Sequence, residues 1–94
     1  MKVLNPRRLK EYEAAHRDAG ASLRTWWRTA QTADWESFNE VRQTFNTADQ
    51  VGDRVIFNIR GGYYRLVTWI DFQRKLVVMK WFGTHAEYDR GEWR

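Results

Sequence analysis

The stretch that most constrains this chain is RVIFNIRGGYYRLVTWIDFQRKLVVMKWFG, Arg54 to Gly83, where hydrophobic residues alternate with polar ones around a pair of glycines. Alternation at period two marks half-buried strands. Gly61-Gly62 between two such runs predicts a two-residue hairpin, because a type I′ turn needs positive φ at both central positions. A second turn within Asp71 to Lys75 makes the stretch three consecutive antiparallel strands. The hairpin also sets the register. With Arg60 opposite Tyr63, Asn58 falls opposite Arg65, Ile56 opposite Val67, and Arg54 opposite Trp69. A second turn of two or four residues carries this phase into the third strand.

Two different faces result. One holds Val55, Phe57, Ile59, Tyr64, Leu66, Thr68, Ile70, Val77, Met79 and Trp81, and is expected to pack on helices. The other holds Arg54, Ile56, Asn58, Arg60, Tyr63, Arg65, Val67, Trp69, Val78, Lys80 and Phe82. It carries four cations and no acid before Asp71 at the strand end. Like charges so close repel, so this face suits an anionic partner such as nucleic acid or phosphate. Arginine offers planar paired donors to phosphate. Tyr63 or Trp69 can stack on a base.

The first half reads as helical. Asn5-Pro6 is a helix start, and Gly20 is a natural residue just past a helix end, so a first helix spans about Pro6 to Ala19. A second starts near Ser22, with Leu23, Trp26, Trp27 and Ala30 on one stripe. A third starts at Asp34, with Trp35, Phe38, Val41 and Phe45 pointing inward; Ser37 and Glu40 offer an alternative start by their capping-box spacing. Residues 46–53 read as a loop, and Val3-Leu4 can add an edge strand. The expected fold is α+β in a single domain, residues 1–94. Its N-terminal helices pack on one face of a C-terminal antiparallel sheet of three to four strands.

Composition narrows the setting. The 94 residues include no cysteine, which excludes a disulfide scaffold and thiolate metal sites and agrees with a reducing cytosol. With no 18-residue apolar run and no signal-peptide core after Met1, the chain reads as a soluble cytoplasmic protein that does not engage a membrane. Residues 1–53 carry eight basic and eight acidic side chains, whereas residues 54–94 carry eight basic and four acidic. The excess positive charge therefore lies with the sheet, again favouring a polyanionic partner.

The tail WFGTHAEYD, Trp81 to Asp89, adds groups able to move protons. Cleaving RNA without a metal needs a base for the 2′-hydroxyl, an acid for the 5′-oxygen, and cations for the charge on phosphorus. His85 suits proton transfer near pH 7, and Tyr88 lies three residues on, expected on the same side of a helical turn. The plainer reading is that Thr84 and Glu87 form a capping box, with His85 a surface residue of the first turn. The two readings are compatible, because a cap would hold His85 still. Asp71, Glu87, Asp89 and Glu92 show no repeated metal-ligand spacing, so no metal or other cofactor is expected. No glycine-rich phosphate loop or serine-nucleophile motif is present.

The stretch VIFNIRGGYYRLVTWIDFQRKLVVMKWFGTHAEYD resembles the HigB toxins of bacterial type II toxin–antitoxin modules, within the RelE/ParE superfamily. FNIRGGYYRL followed by FGTHAEYD carries the resemblance, and LNPRRLKEYEAAH at the start fits as well. The resemblance implies a RelE-like fold and a metal-independent mRNA endoribonuclease that cuts transcripts, typically on the ribosome. It implies neutralisation by a HigA-like helix-turn-helix antitoxin, through which alone the toxin would meet operator DNA. By position it implies site roles for Asn58, Arg60, Arg65, His85 and Tyr88, leaving open which residue is base and which is acid. Lys80, Arg54, Tyr63 and Trp69 join the candidates from the face argument alone. The rivals are a non-catalytic RNA- or ribosome-binding translation blocker, a ParE-like toxin acting on a protein target, and a plain interaction domain.

Overall fold

A computed structural model describes all 94 residues. The elements run β1 (Lys2–Leu4), α1 (Arg7–Ala15), α2 (Gly20–Thr32), α3 (Phe38–Thr44), β2 (Asp49–Val51), β3 (Arg54–Ile59), β4 (Tyr64–Asp71), β5 (Leu76–Thr84) and α4 (His85–Asp89). The strands form one sheet in the order β1-β5-β4-β3-β2, with β1 parallel to β5 and the other pairs antiparallel. The fold is α+β and RelE-like, as the sequence suggests, with five strands rather than three or four. No helix is long and apolar enough to cross a membrane.

The Gly61-Gly62 hairpin holds the expected register: Arg54 faces Trp69, Ile56 faces Val67, and Asn58 faces Arg65. Gly61 and Gly62 sit at φ 61° and 92°, and the Tyr63 amide donates to the Arg60 carbonyl across the turn. The second turn spans four residues between Asp71 and Leu76, which face one another. The core forms where the helices meet the Val55, Phe57 and Ile59 face of the sheet. Phe57 is its hub, touched by the rings of Trp26, Trp35 and Phe45 at 5.4, 6.3 and 5.2 Å. Aromatic side chains bury large areas, which suits a short chain with a small core.

The third strand departs from simple alternation. Thr68 faces Met79 but Val67 faces Trp81, so Lys80 is an extra, unpaired residue in β5. A bulge shifts every later residue to the other face. Trp81, expected in the core, joins the open face. Phe82, expected on the open face, is 8% exposed in the core, against Tyr12, His16 and Tyr64. Arg8 of α1 reaches the bulge and donates to the Met79 carbonyl at 2.6 Å.

Three helix expectations are also corrected. The first helix stops at Ala15, and a 3-10 turn spans Arg17–Ala19. His16 leaves helical geometry, with φ −138°, and its ring packs on Tyr64 and Phe82. Gly20 belongs to α2, with φ −55°, instead of terminating the helix before it. A Cβ there would lie 3.2 Å from Arg24 Nη1, in the path of the 2.7 Å Glu13–Arg24 ion pair that links α1 and α2 across the break. The third helix starts after Ser37, whose hydroxyl accepts from the Glu40 amide; Trp35 is buried ahead of it and donates Nε1–H to Thr44. Part of the expected 46–53 loop is the strand β2, joined to β3 through Gly52-Asp53.

The tail leaves the sheet one residue later than its glycine suggests. Gly83 is still in β5, facing Arg65, and Thr84 caps α4. Both halves of the capping box form: the Glu87 amide donates to Thr84 Oγ at 3.1 Å and the Thr84 amide to Glu87 Oε1 at 2.8 Å. A Cβ on Gly83 would collide with the Trp81 ring and sit 2.7 Å from Glu87 Oε1. Gly83→Ala is therefore expected to destabilise the fold by about 1–3 kcal/mol through overpacking. A denaturant midpoint equal to the parent's would count against this account.

Candidate active site

The site begins with a row of three strands in which Asn58, Arg65 and Gly83 stand side by side. Without the Lys80 bulge, Phe82 would take the place beside Arg65; with it, a residue lacking a side chain does. Arg65 donates from Nη1 to the Gly62 carbonyl at 2.7 Å and to its neighbour Tyr64's carbonyl at 3.3 Å. Its guanidinium also lies 6.0 Å from the centre of the Tyr88 ring. Arg65 thus spans from the hairpin turn to α4.

On one side of Arg65 is a cleft of about 380 Å³ that it lines together with Arg42, Asp49, Asn58 and Tyr88. Tyr88 stacks on Trp93 at 5.2 Å, nearly parallel, and the Arg94 guanidinium lies 4.5 Å from the centre of the Trp93 ring. Burial raises the Tyr88 phenol above its ordinary pKa, and the Asp49 carboxylate adds to the shift. Tyr88 therefore remains a protonated donor at neutral pH.

On the other side is a cleft of about 500 Å³, walled by the Gly61-Gly62 turn, Tyr63, Tyr64, Thr84, His85 and Asp18. The His85 amide donates to the Tyr63 carbonyl at 2.9 Å, which pins α4 to the hairpin. The imidazole is half exposed, with Nδ1 3.3 Å from Asp89 Oδ2. Asp18 accepts from the Tyr64 hydroxyl at 2.6 Å and pairs with Arg60 at 3.1 Å. The Tyr64 bond, with help from Arg60, lowers the Asp18 carboxyl below its ordinary pKa.

The candidates divide accordingly. Asn58, Arg65 and Tyr88 share one cleft, while His85 and Tyr63 line the other. The expectation that His85 and Tyr88 share a side is corrected: three helical residues leave them about 60° apart, and each lines a different cleft. Arg60 has φ 53°, lies under Tyr63 at 5.0 Å and is bound to Asp18, away from Arg65's cleft. Lys80 is the exposed bulge residue, three positions before Gly83. Arg54 and Trp69 face one another four residues down the ladder, about 13 Å from the Asn58–Arg65 row. Arg54 is paired with Asp53.

Three residues lining the clefts, Asp49, Arg42 and Asp18, had not been singled out, and Asp89, the partner of His85, had been weighed only as a metal ligand. Asp49 became visible only with β2, and it places an acid on a face expected to have none before Asp71. Arg42 and Asp18 come from helical segments that carry no pattern pointing to the sheet. Asp89 had a usable signal, its i, i+4 spacing from His85.

The model of the HigB toxin family, the RelE-like toxic component of a toxin–antitoxin system, matches residues 19–91. The chain belongs to the HigB toxin family. The matched span takes in both clefts except Asp18, and leaves β1 and α1 outside. No curated protein matches the chain. As a toxin–antitoxin toxin, this HigB family member has an antitoxin as its partner.

The Asp18 contacts predict a pH signature. A carboxyl held below its ordinary pKa stabilises the fold fully above the ordinary carboxylate range, and that contribution disappears as the pH falls through the lowered value. Asp18→Asn is expected to unfold at lower denaturant than the parent near neutral pH, with the gap closing on acidification. A gap that stays constant with pH would rule out a charge-based role.

Proposed function

We propose that this HigB family toxin is an mRNA endoribonuclease that works without a metal. The observation that carries the reading is Arg65 placed beside the protonated phenol of Tyr88 and bonded to the Gly62 carbonyl, a wall of the cleft that His85 lines. In this reading Arg65 binds the scissile phosphate, Arg42 adds positive charge and Asn58 orients the strand. Asp89 accepts the His85 Nδ1 proton, so Nε2 takes the proton of the 2′-hydroxyl. The 2′-oxygen attacks phosphorus and the bond to the 5′-oxygen breaks. Tyr88 gives its proton to that oxygen. The products are a 2′,3′-cyclic phosphate and a 5′-hydroxyl, so the atoms balance without a water.

Arg60 and Lys80 serve as outlying cations for the strand, and Arg54 and Trp69 as contacts further down the sheet. The substrate is mRNA on the ribosome in the cytoplasm, and the neutralising partner is a HigA-type helix-turn-helix antitoxin that alone contacts operator DNA. The family membership and the surplus of basic residues after position 53 support these assignments.

Expression without the antitoxin is expected to stop growth and create transcript ends bearing 5′-hydroxyls. His85→Ala and Tyr88→Phe are each expected to lower cleavage by roughly 10²–10⁴-fold. Arg65→Ala is expected to lower it by about 10²–10³-fold, the scale of losing one donor to the transition state. Growth arrest with intact transcripts would instead indicate a translation blocker. A DNA-damage response with unchanged mRNA would indicate a protein target.

A further inference from the structure

The cleft that holds His85 differs in chemistry from the cleft that holds Tyr88. Its walls are the hairpin glycines, Tyr63, Tyr64, Thr84, His85, Ala86 and Asp18, with no lysine or arginine among them. Two guanidiniums bond to its walls: Arg60 is paired with Asp18, and Arg65 reaches its boundary at the Gly62 carbonyl. A phosphate inside the cleft would meet the Asp18 carboxylate, with the Arg65 guanidinium only at its boundary. Tyr63 is the one large hydrophobic side chain left exposed, at 67%. A Cβ on Gly61 would touch nothing within 4 Å, so the turn leaves open space at Gly61. Each Asp18 oxygen has one bond, to Tyr64 or to Arg60, and keeps a lone pair for another donor.

We propose that this cleft is a nucleobase subsite, in which Tyr63 stacks on the base and Asp18 accepts hydrogen bonds from its exocyclic amine. The inference rests on the ribonuclease reading above and specifies its substrate. Since His85 lines the same cleft, the base bound here belongs to the nucleotide whose 2′-hydroxyl His85 deprotonates. Arg65 links the two clefts through its bond to the Gly62 carbonyl, which puts the scissile phosphate at their boundary. The nucleotide on the 5′ side of the cut is therefore read as a base: adenine, cytosine or guanine is accepted and uracil, which has no exocyclic amine, is disfavoured.

The test uses single-stranded oligoribonucleotides that differ only at that nucleotide, together with 2′-deoxy versions that bind without being cut. The parent protein is expected to cut the amine-bearing substrates at least about tenfold faster than the uracil substrate, the scale of a lost polar contact. It is expected to bind the uncut versions in the same order. Asp18→Asn is expected to erase the order. Tyr63→Ala is expected to weaken binding of every base by about ten- to a hundredfold, while Tyr63→Phe, which keeps the ring, binds as the parent does. Cleavage that ignores the base, or Tyr63→Ala binding like the parent, overturns the subsite. Ordered binding without cleavage overturns the ribonuclease reading and upholds the subsite, and the absence of both overturns both.

Discussion

At the step from Val67 to Thr68, β5 carries Lys80 without a partner, and every residue after it changes face. The consequences reach both sides of the sheet. Phe82 turns inward and joins Tyr12, His16 and Tyr64 in an aromatic cluster. Trp81 turns outward, and Gly83 comes to stand beside Arg65. Were Lys80 paired in regular register, a phenylalanine would crowd Arg65, and Trp81 would have to be buried in the place of the smaller ring. Bulges are common next to functional sites because one added residue re-aims side chains without ending the strand. The Arg8 bond to the Met79 carbonyl ties this step to α1. The N-terminal helix lies outside the span matched by the family model, yet it braces the part of the sheet that arranges the site.

Features governed by local chemistry were legible in the sequence. Gly61-Gly62 determined the turn, and the turn determined that Asn58 meets Arg65. Thr84 and Glu87 announced the capping box. Features governed by contacts distant in sequence were not legible. Nothing in VVMKWFG marks Lys80 as a bulge, because alternation in either phase puts an aromatic residue inward. The break at His16 involves no glycine or proline, and its ring finds Tyr64 and Phe82 only in the folded chain. Strand β2 is three residues long and mostly exposed, so it has no alternation to read. Its absence from the sequence reading also hid Asp49, and with it the charge balance of the open face.

That balance changes the electrostatic picture. A face of uniform cations would repel itself and bind anions without discrimination. The fold instead supplies each cleft with a carboxylate: Asp49 beside Arg65 and Tyr88, and Asp18 beside Arg60 and Tyr64. Asp49 does more than offset charge, because it adds to the rise that burial gives the Tyr88 phenol's pKa. Asp18 holds Arg60 in an ion pair at the edge of its own cleft. One end of the sheet thereby presents two chemically distinct surfaces separated by a single guanidinium. Arg65 lines one and bonds to the Gly62 carbonyl of the other.

The tail depends on this same register. A helix of five residues has no stability of its own, since nucleation alone outweighs so few hydrogen bonds. Here α4 is held at three points: the capping box, the His85 amide on the Tyr63 carbonyl, and the stacking of Tyr88 on Trp93. The capping box needs the Glu87 carboxylate to reach back over the end of β5, into the space a Cβ on Gly83 would occupy. The glycine that clears room beside Arg65 therefore also clears room for the cap that fixes His85 and Tyr88. If the bulge were lost, Phe82 would stand beside Arg65 and the last turn of β5 would meet α4 in the wrong phase. Guanidinium, imidazole and phenol are thus positioned together, by one unpaired residue and one missing side chain.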